Sequence, residues 1–558
     1  MKNLLIITLL LGSFSALGQS HTVKGFINGV NPGDTVFMGA YSGKSLQYND
    51  TTVAAADGWF SFQGKTKEKA GKHVVFILKP SVKMVEVLLD EKDLVFKTDT
   101  SNMDLNMKVV KSETNKIFYD YKKFIHGKNL ERTPLDKACG DTLLTEEQRK
   151  PSCDKIRKLT EEVIAEQTRI ADEHYDLLIG KYLKMGLEVE VPEAPKNEEN
   201  AQVWRYQYYR AHYWDNTDLN DPAIFREQQF HKLFEKYFKK VVPQNPDSVF
   251  NAGVEFLNKI QGKEDLFKYS LGQLAYLTES SKVMCMDKAF VLFVNRYYRT
   301  GIVDWMDDER MKKIIDGADK KIPCLCGEVA SNIILPDEND VWQNMHSIPE
   351  KYTVLVFWEP SCGHCKKEMP KLKEVYDTWN SKGLEVYAVC HDLENEKWIE
   401  FIKEKELDWI NVSFNEAIMD QDSATQLVRK KITTLSSLNY GPIYDISSTP
   451  QIYLLDENKA ILYKQLTSEQ LGGMMENLLG EKTEEKTEVE EVPEEGMNDG
   501  ATITEDDKLS NMSAKELKKF NKQQAKLEKK AKKAQEKLQK KKLKAEEKKR
   551  KAEEKAAK

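Results

Sequence analysis

Hydrophobic and polar positions change period three times along this chain. From Thr22 to about Thr100 the text is short alternating or apolar runs, TVKGFI, TVFMGAY, GWFSF, HVVFILK and LVFKT, punctuated by Asn31-Pro32-Gly33 and Asp57-Gly58. Strands of that length between turn signals predict a small antiparallel β domain of sandwich type, bounded at 19–105. Between Ser112 and Lys320 the period lengthens to that of helices rich in Glu, Lys, Leu and Tyr, broken by VPEAPKNEEN, which predicts a central all-α domain over 106–320. After Pro323 a strand at Thr353–Trp358 is followed by a helix at Cys365–Asn380, whose Met369, Leu372, Val375 and Trp379 share one face, and by the strand LEVYAVC at 384–390. The order βαβ implies a parallel pair with a helix crossing over. A helix around Trp398–Lys405, a strand near WINVSF, a hairpin of QIYLLD and AILYKQL across Glu457-Asn458, and a last helix from Ser468 complete an α/β domain over 321–480.

The two ends change the picture. The first 18 residues carry Lys2, an apolar core through Leu11 and small residues at Ala16 and Gly18, the pattern of a cleaved secretory signal. No later apolar run approaches the roughly 18 residues of a membrane span. No cysteine follows the signal to take a lipid anchor, so the expected location is the periplasm. The net charge of −6 conceals a split, because Glu481–Asp507 is strongly acidic and Ala514–Lys558 strongly basic. We read 481–512 as an acidic linker and 513–558 as a Lys-rich helical tail, with Glu-to-basic pairs such as Glu528–Lys532 and Glu547–Lys551 at i, i+4. Leu517, Phe520, Leu527, Ala531, Ala534 and Leu538 form a coiled-coil-like stripe that Ala and Lys dilute beyond Leu538. The basic tail suits an anionic envelope surface or the acidic linker; an exported chain argues against nucleic acid as a partner.

Candidate chemistry concentrates at 357–370, FWEPSCGHCKKEMP. Cys362 follows a strand and opens a helix, where unpaired backbone N–H groups and the helix dipole favour an anion. In a Cys-x-x-Cys motif that placement lowers a thiol pKa from about 8.5 into the range of roughly 3.5–7.5. Cys365, one turn on, is placed to resolve a mixed disulfide. His364, Lys366 and Lys367 add positive charge, and Glu368, again one turn on, is a candidate acceptor for the Cys365 proton. A zinc site would need further ligands at set spacing, which Cys324-Leu325-Cys326 does not supply; no metal and no cofactor is expected.

The segment VLVFWEPSCGHCKKEMPKLKEVY resembles the active-site region of the thioredoxin superfamily, specifically its exported TlpA/ResA-like thiol-disulfide oxidoreductases of Bacteroidetes type. DISSTPQIYLLDENKAILYKQL resembles that group's cis-proline segment. Over about Ile322–Gly480 the resemblance implies Cys362 as attacking and Cys365 as resolving cysteine, Pro450 as the cis-proline, and Glu368 as the nearby acid. It also implies a substrate groove that includes Trp358, Gly363, His364 and Thr449. Protein disulfides or dithiols would be the substrates, and an electron donor in the membrane fits such a location. The β and helical regions resemble domains of unknown function that accompany this group. Three departures stand out: Val356 occupies the position of the buried aspartate of thioredoxin, ITTLSSLNYGPIYD is longer than expected, and Gly-His between the cysteines leaves the direction of electron flow open.

Other features have plainer readings. Cys390 ends a strand whose neighbour leads to the motif, and reads as a buried apolar cysteine; a copper or zinc site joining His391 to Cys362 and Cys365 lacks a further ligand. Cys139 and Cys153 flank a short loop and are placed to bridge or to stay apart. The aromatic run VWRYQYYRAHYW reads as helix packing. Two rival functions remain: an envelope scaffold in which the redox pair is secondary, and a thiol peroxidase, whose Pro-x-x-x-Thr-x-x-Cys segment Pro360-Ser361-Cys362 does not supply.

Overall fold

The computed structural model describes residues 22–480 apart from 64–68, 79–80, 91–92, 199, 392–394 and 447. The expected signal peptide, acidic linker and basic tail lie outside the described residues.

The first strands are β1 (Thr22–Asn28), β2 (Thr35–Ser42), β3 (Ser45–Val53), β4 (Trp59–Gln63), β5 (Gly71–Ile77), β6 (Lys83–Leu89), β7 (Asp93–Asp99) and β8 (Lys108–Lys111). They form two sheets, β4-β1-β7-β8 and β3-β2-β5-β6. Pairing is antiparallel as expected except between β1 and β7, which run parallel in register Val23↔Leu94 through Asn28↔Asp99. Alternation decides which side chains face inward. Val23 and Ile27 of β1, Val36 and Met38 of β2, and Phe60 and Phe62 of β4 are all buried.

The helices that follow are α1 (Glu113–Cys139), α2 (Glu146–Glu173), α3 (Leu178–Met185), α4 (Ala201–His212), α5 (Gln228–Lys236), α6 (Pro246–Lys259), α7 (Glu264–Glu279), α8 (Asp287–Phe293) and α9 (Asp308–Lys321). α1 and α2 start on side-chain caps from Ser112 and Thr145, and Cys139 and Cys153 are bridged between them. The aromatic run departs from expectation: α4 has no fully buried residue, Tyr213 and Trp214 just beyond it are buried, and half-buried Trp204, Tyr208 and His212 stack along one side of it. Spacing alone gave no reason to separate the buried pair from the half-buried stack.

One apolar core runs continuously from Val23 through the helices to Leu325, so the β and helical regions share an interior. Charge crosses the same seam. Lys72 on β5 is buried and bonds Glu227, at the start of α5, at 2.8 Å and Glu86 on β6 at 3.2 Å.

The last part contains β9 (Ile334–Pro336), β10 (Trp342–Asn344), β11 (Tyr352–Trp358), α10 (Gly363–Trp379), β12 (Leu384–Cys390), α11 (Asn395–Glu404), β13 (Ile410–Val412), α12 (Glu416–Met419), α13 (Gln421–Arg429), α14 (Leu435–Leu438), α15 (Tyr440–Ile443), β14 (Gln451–Leu455), β15 (Ile461–Lys464) and α16 (Ser468–Leu479). Its five-stranded sheet has the order β13-β12-β11-β14-β15. β11 pairs parallel with β12 and antiparallel with β14, as the βαβ pattern and the hairpin predict. Every residue of β11 is buried, because the sheet is covered on both faces. Val354, Val356 and Trp358 meet residues of α10 and α16 on one side, while Leu355 and Phe357 meet Ile333, Leu335, Tyr440 and Tyr444 on the other. The long segment before Thr449 is thus α14 and α15, a lid on the second face.

This domain is tied to the helices in two ways. Cys285, just before α8, is bridged to Cys326. Lys464 on β15, largely buried, pairs with Asp287 at the start of α8 and donates to the Cys324 carbonyl at 2.7 Å.

Candidate functional site

β11 ends at Trp358 and α10 begins at Gly363, so Glu359–Cys362 form the turn that delivers Cys362 to the helix N-cap. There its sulfur faces backbone N–H groups that have no partner inside the helix. Cys362 is half-buried and Cys365 fully buried. Burial pushes the Cys362 thiol up, yet hydrogen bonds to the sulfur from the Cys365 backbone N–H, Thr449, the Cys365 thiol and the His364 backbone N–H outweigh it, leaving the pKa below the ordinary thiol value. For Cys365 burial wins: even with the Glu359 backbone N–H bonded to its sulfur, its pKa is pushed up to about 12. The two thiols are therefore unlike, one outer and ready to ionise, the other deep and protonated.

The Thr449-Pro450 peptide bond is cis, and the Cys362 thiol lies 3.4 Å from the Thr449 carbonyl. A pair named from opposite ends of the domain is thus brought together at the start of β14. Gly363 and His364 are exposed beside Cys362, and Gly363 has open space around it.

One expected placement changes, and a second gains a partner. Trp358 was expected in the substrate groove, but its side chain is fully buried, 5.1 Å from Phe401 between ring centroids. It supports the turn from beneath, since alternation along β11 points it into the core. Glu368 does share the helical face, but its carboxylate accepts from the Ser468 backbone N–H at 2.6 Å, at the N-terminus of α16, and lies 3.9 Å from Lys371. The positive end of a second helix holds it there.

Val356 is buried among apolar neighbours, so no carboxylate sits beneath the pair at that position. Cys390 is buried in the same cluster as Cys365. His391, exposed at the end of β12, lies 3.1 Å through Nδ1 from the Tyr440 hydroxyl. Among the described residues no group of three or more His, Cys, Asp or Glu side chains is arranged to hold a metal ion.

The chemistry open to this arrangement is thiol-disulfide exchange: an accessible thiolate to attack a disulfide, a second thiol one turn away to complete the exchange. A family model described as the AhpC/TSA family matches residues 326–464, and models for two domains of unknown function, DUF4369 and DUF5106, match 21–118 and 145–321. The chain is similar to the thiol-disulfide oxidoreductase ResA of Bacillus cereus, with 26% identity over 155 residues, 27% of this chain and 78% of that one. Among solved structures it is similar to a thioredoxin-like protein from Bacteroides caccae, at 17% identity over 52% of this chain and 98% of that one, with a TM-score of 0.38. Another is a domain of a possible thiol-disulfide isomerase from Cytophaga hutchinsonii, at 32% identity over 28% of this chain and 94% of that one, with a TM-score of 0.22. Residues 326–464 thus form a thioredoxin-like domain that matches the AhpC/TSA family model, and two domains of unknown function precede it.

Proposed function

We propose that this protein is a periplasmic thiol-disulfide oxidoreductase that exchanges disulfides with protein substrates through Cys362 and Cys365. The observation that carries the reading is the asymmetry of the pair: a half-buried thiol with a lowered pKa beside cis-Pro450, and a buried thiol with a raised one. The Cys362 thiolate attacks one sulfur of a substrate disulfide and displaces the other as a thiolate, leaving substrate and protein joined by a mixed disulfide. Cys365 then attacks Cys362, the Cys362–substrate bond breaks, and the second substrate sulfur leaves; the substrate has gained two electrons and the Cys362–Cys365 pair has lost them. Run backward, the same steps oxidise a dithiol. Exposed Gly363 and His364, with the Thr449 backbone, form the surface on which an extended substrate lies.

Purified protein should reduce insulin disulfides in the presence of dithiothreitol, and Cys362→Ser should abolish that activity. An unchanged rate in the variant would refute the assignment. A peroxidase would instead consume hydrogen peroxide at the expense of Cys362.

A further inference from the structure

Three pieces of the helical region meet around a cavity of about 440 Å³: the π-helical turn Tyr237–Val241 that extends α5, the second half of α7, and the loop that leads from α7 into α8. Its floor is apolar and buried, made by Phe238 from the π turn, Val249 from α6, Leu274 and Leu277 from α7 and Met286 just before α8. The π turn closes with the Val242 N–H on the Tyr237 carbonyl at 2.9 Å, and the Gln244 side-chain amide takes the Phe238 and Val242 carbonyls at 3.0 and 2.7 Å. Such a volume falls within the range of small-molecule sites, about 300–1,000 Å³.

The opposite wall is fixed from outside. In the loop 280–286, Val283 and Met286 line the cavity, Met284 packs against the core of the thioredoxin-like domain, and Cys285 is bridged to Cys326. The cavity is therefore pre-formed. At its mouth the charge is one-sided, because Lys239 and Lys282 line it and no Asp or Glu does. Lys239 bonds Glu235 at 2.8 Å, while exposed Lys282 is in no ion pair among the described residues. Glu279, the acid next to Ser280, sends its carboxylate toward Gly317 on α9 instead. Beside Lys282 the Ser281 hydroxyl accepts from the Val283 N–H at 3.1 Å, and its own hydrogen remains to donate. An apolar floor penalises a wholly polar ligand, and a cationic rim with a hydroxyl donor selects a negative head.

We propose that this cavity binds a single-chain amphiphile with an anionic head, of the class of medium-chain carboxylates. The chain lies on Phe238, Leu274, Leu277 and Met286, and the carboxylate accepts from Lys282 and Ser281 at the mouth. Each methylene buried there tightens binding by about fourfold. The inference does not rest on the oxidoreductase reading, and Cys362 and Cys365 take no part in its test. A bound chain touches Val283 and Met286 of the same loop whose Met284 and Cys285 hold the thioredoxin-like domain.

Isothermal titration of the full chain with sodium decanoate, kept below its micellar concentration, should show one molecule bound per chain. Butanoate, which has the same head on a much shorter chain, should bind about a hundredfold more weakly or worse. 1-Decanol, which keeps the chain and lacks the charge, should bind about tenfold more weakly or worse. Lys282→Glu should weaken decanoate binding by about tenfold or more, whereas Lys150→Glu, an equal change of net charge at an exposed position on α2, should leave it within about twofold. Leu277→Trp, which fills the floor, should abolish binding. Absence of saturable one-to-one binding of decanoate overturns the proposal, as does equal affinity for 1-decanol, or unchanged binding in Lys282→Glu or in folded Leu277→Trp. Should Leu277→Trp fail to fold, Lys282→Glu still decides, because that residue is on the surface.

Discussion

Cys362 and Cys365 differ in reactivity because of where each sulfur sits, and that difference is measurable. With its pKa lowered, Cys362 carries more thiolate at neutral pH than an ordinary thiol of about 8.5. Its alkylation by iodoacetamide, mapped by mass spectrometry, should rise through a midpoint below that of free cysteine and level off above it. As pH falls through that midpoint the reactivity should be lost. Cys365 should stay unmodified over the same range, since its thiol ionises only as pH climbs toward about 12. Equal rates for the two would contradict the assigned environments. The motif, its strand-then-helix setting and Thr449-Pro450 were legible because short-range spacing encodes them. What holds Glu368 was not, because Ser468 lies a hundred residues away and only packing of α16 on α10 brings it near. Trp358 illustrates the same limit: its type suggests a binding platform, and only the register of β11 turns it inward.

Elements of the last domain were read most accurately where strands are buried on both faces, since continuous apolar runs such as TVLVFW have few other meanings. The strand Leu384–Cys390 and the start of α16 fall where the periodicity puts them. Parallel pairing of β1 with β7 was hidden, because alternation fixes which face a residue takes and says nothing about strand direction. Cysteine spacing was equally silent on Cys285, whose partner Cys326 lies 41 residues on and in another domain. Closing a loop of that length restrains the unfolded chain. The double variant Cys285→Ser, Cys326→Ser should therefore lose about 2–4 kcal/mol in urea unfolding under oxidising conditions, while insulin reduction by the folded protein stays unchanged. An unaltered midpoint would show that the Lys464–Asp287 pair and its surroundings suffice to hold α8 against β15.

Over the whole molecule the sequence reading separates a β domain from a helical one, and composition does change there. The structure shares one interior between them, and Lys72 marks the seam. Burial raises the Glu86 carboxyl, but Lys72 and Lys122 outweigh that and bring its pKa down to about 2. Lys72→Met should cost about 1–3 kcal/mol, because the half-buried carboxylates of Glu86 and Glu227 would lose the cation they share. Thermal unfolding at pH 7 checks this, and a neutral outcome would mean that water reaches the seam.

The molecule keeps two cross-links closed and one dithiol open, and the five sulfurs Cys139, Cys153, Cys285, Cys326 and Cys362 are all half-buried. Shielding therefore does not tell a reductant which sulfurs to approach; the stability of the departing thiolate does. Cys139 ends α1, where the negative pole of a helix makes it a poor leaving group, whereas Cys362 begins one. The Cys139–Cys153 staple is therefore set to resist a reductant at the Cys139 side more than a Cys362–Cys365 disulfide would at Cys362.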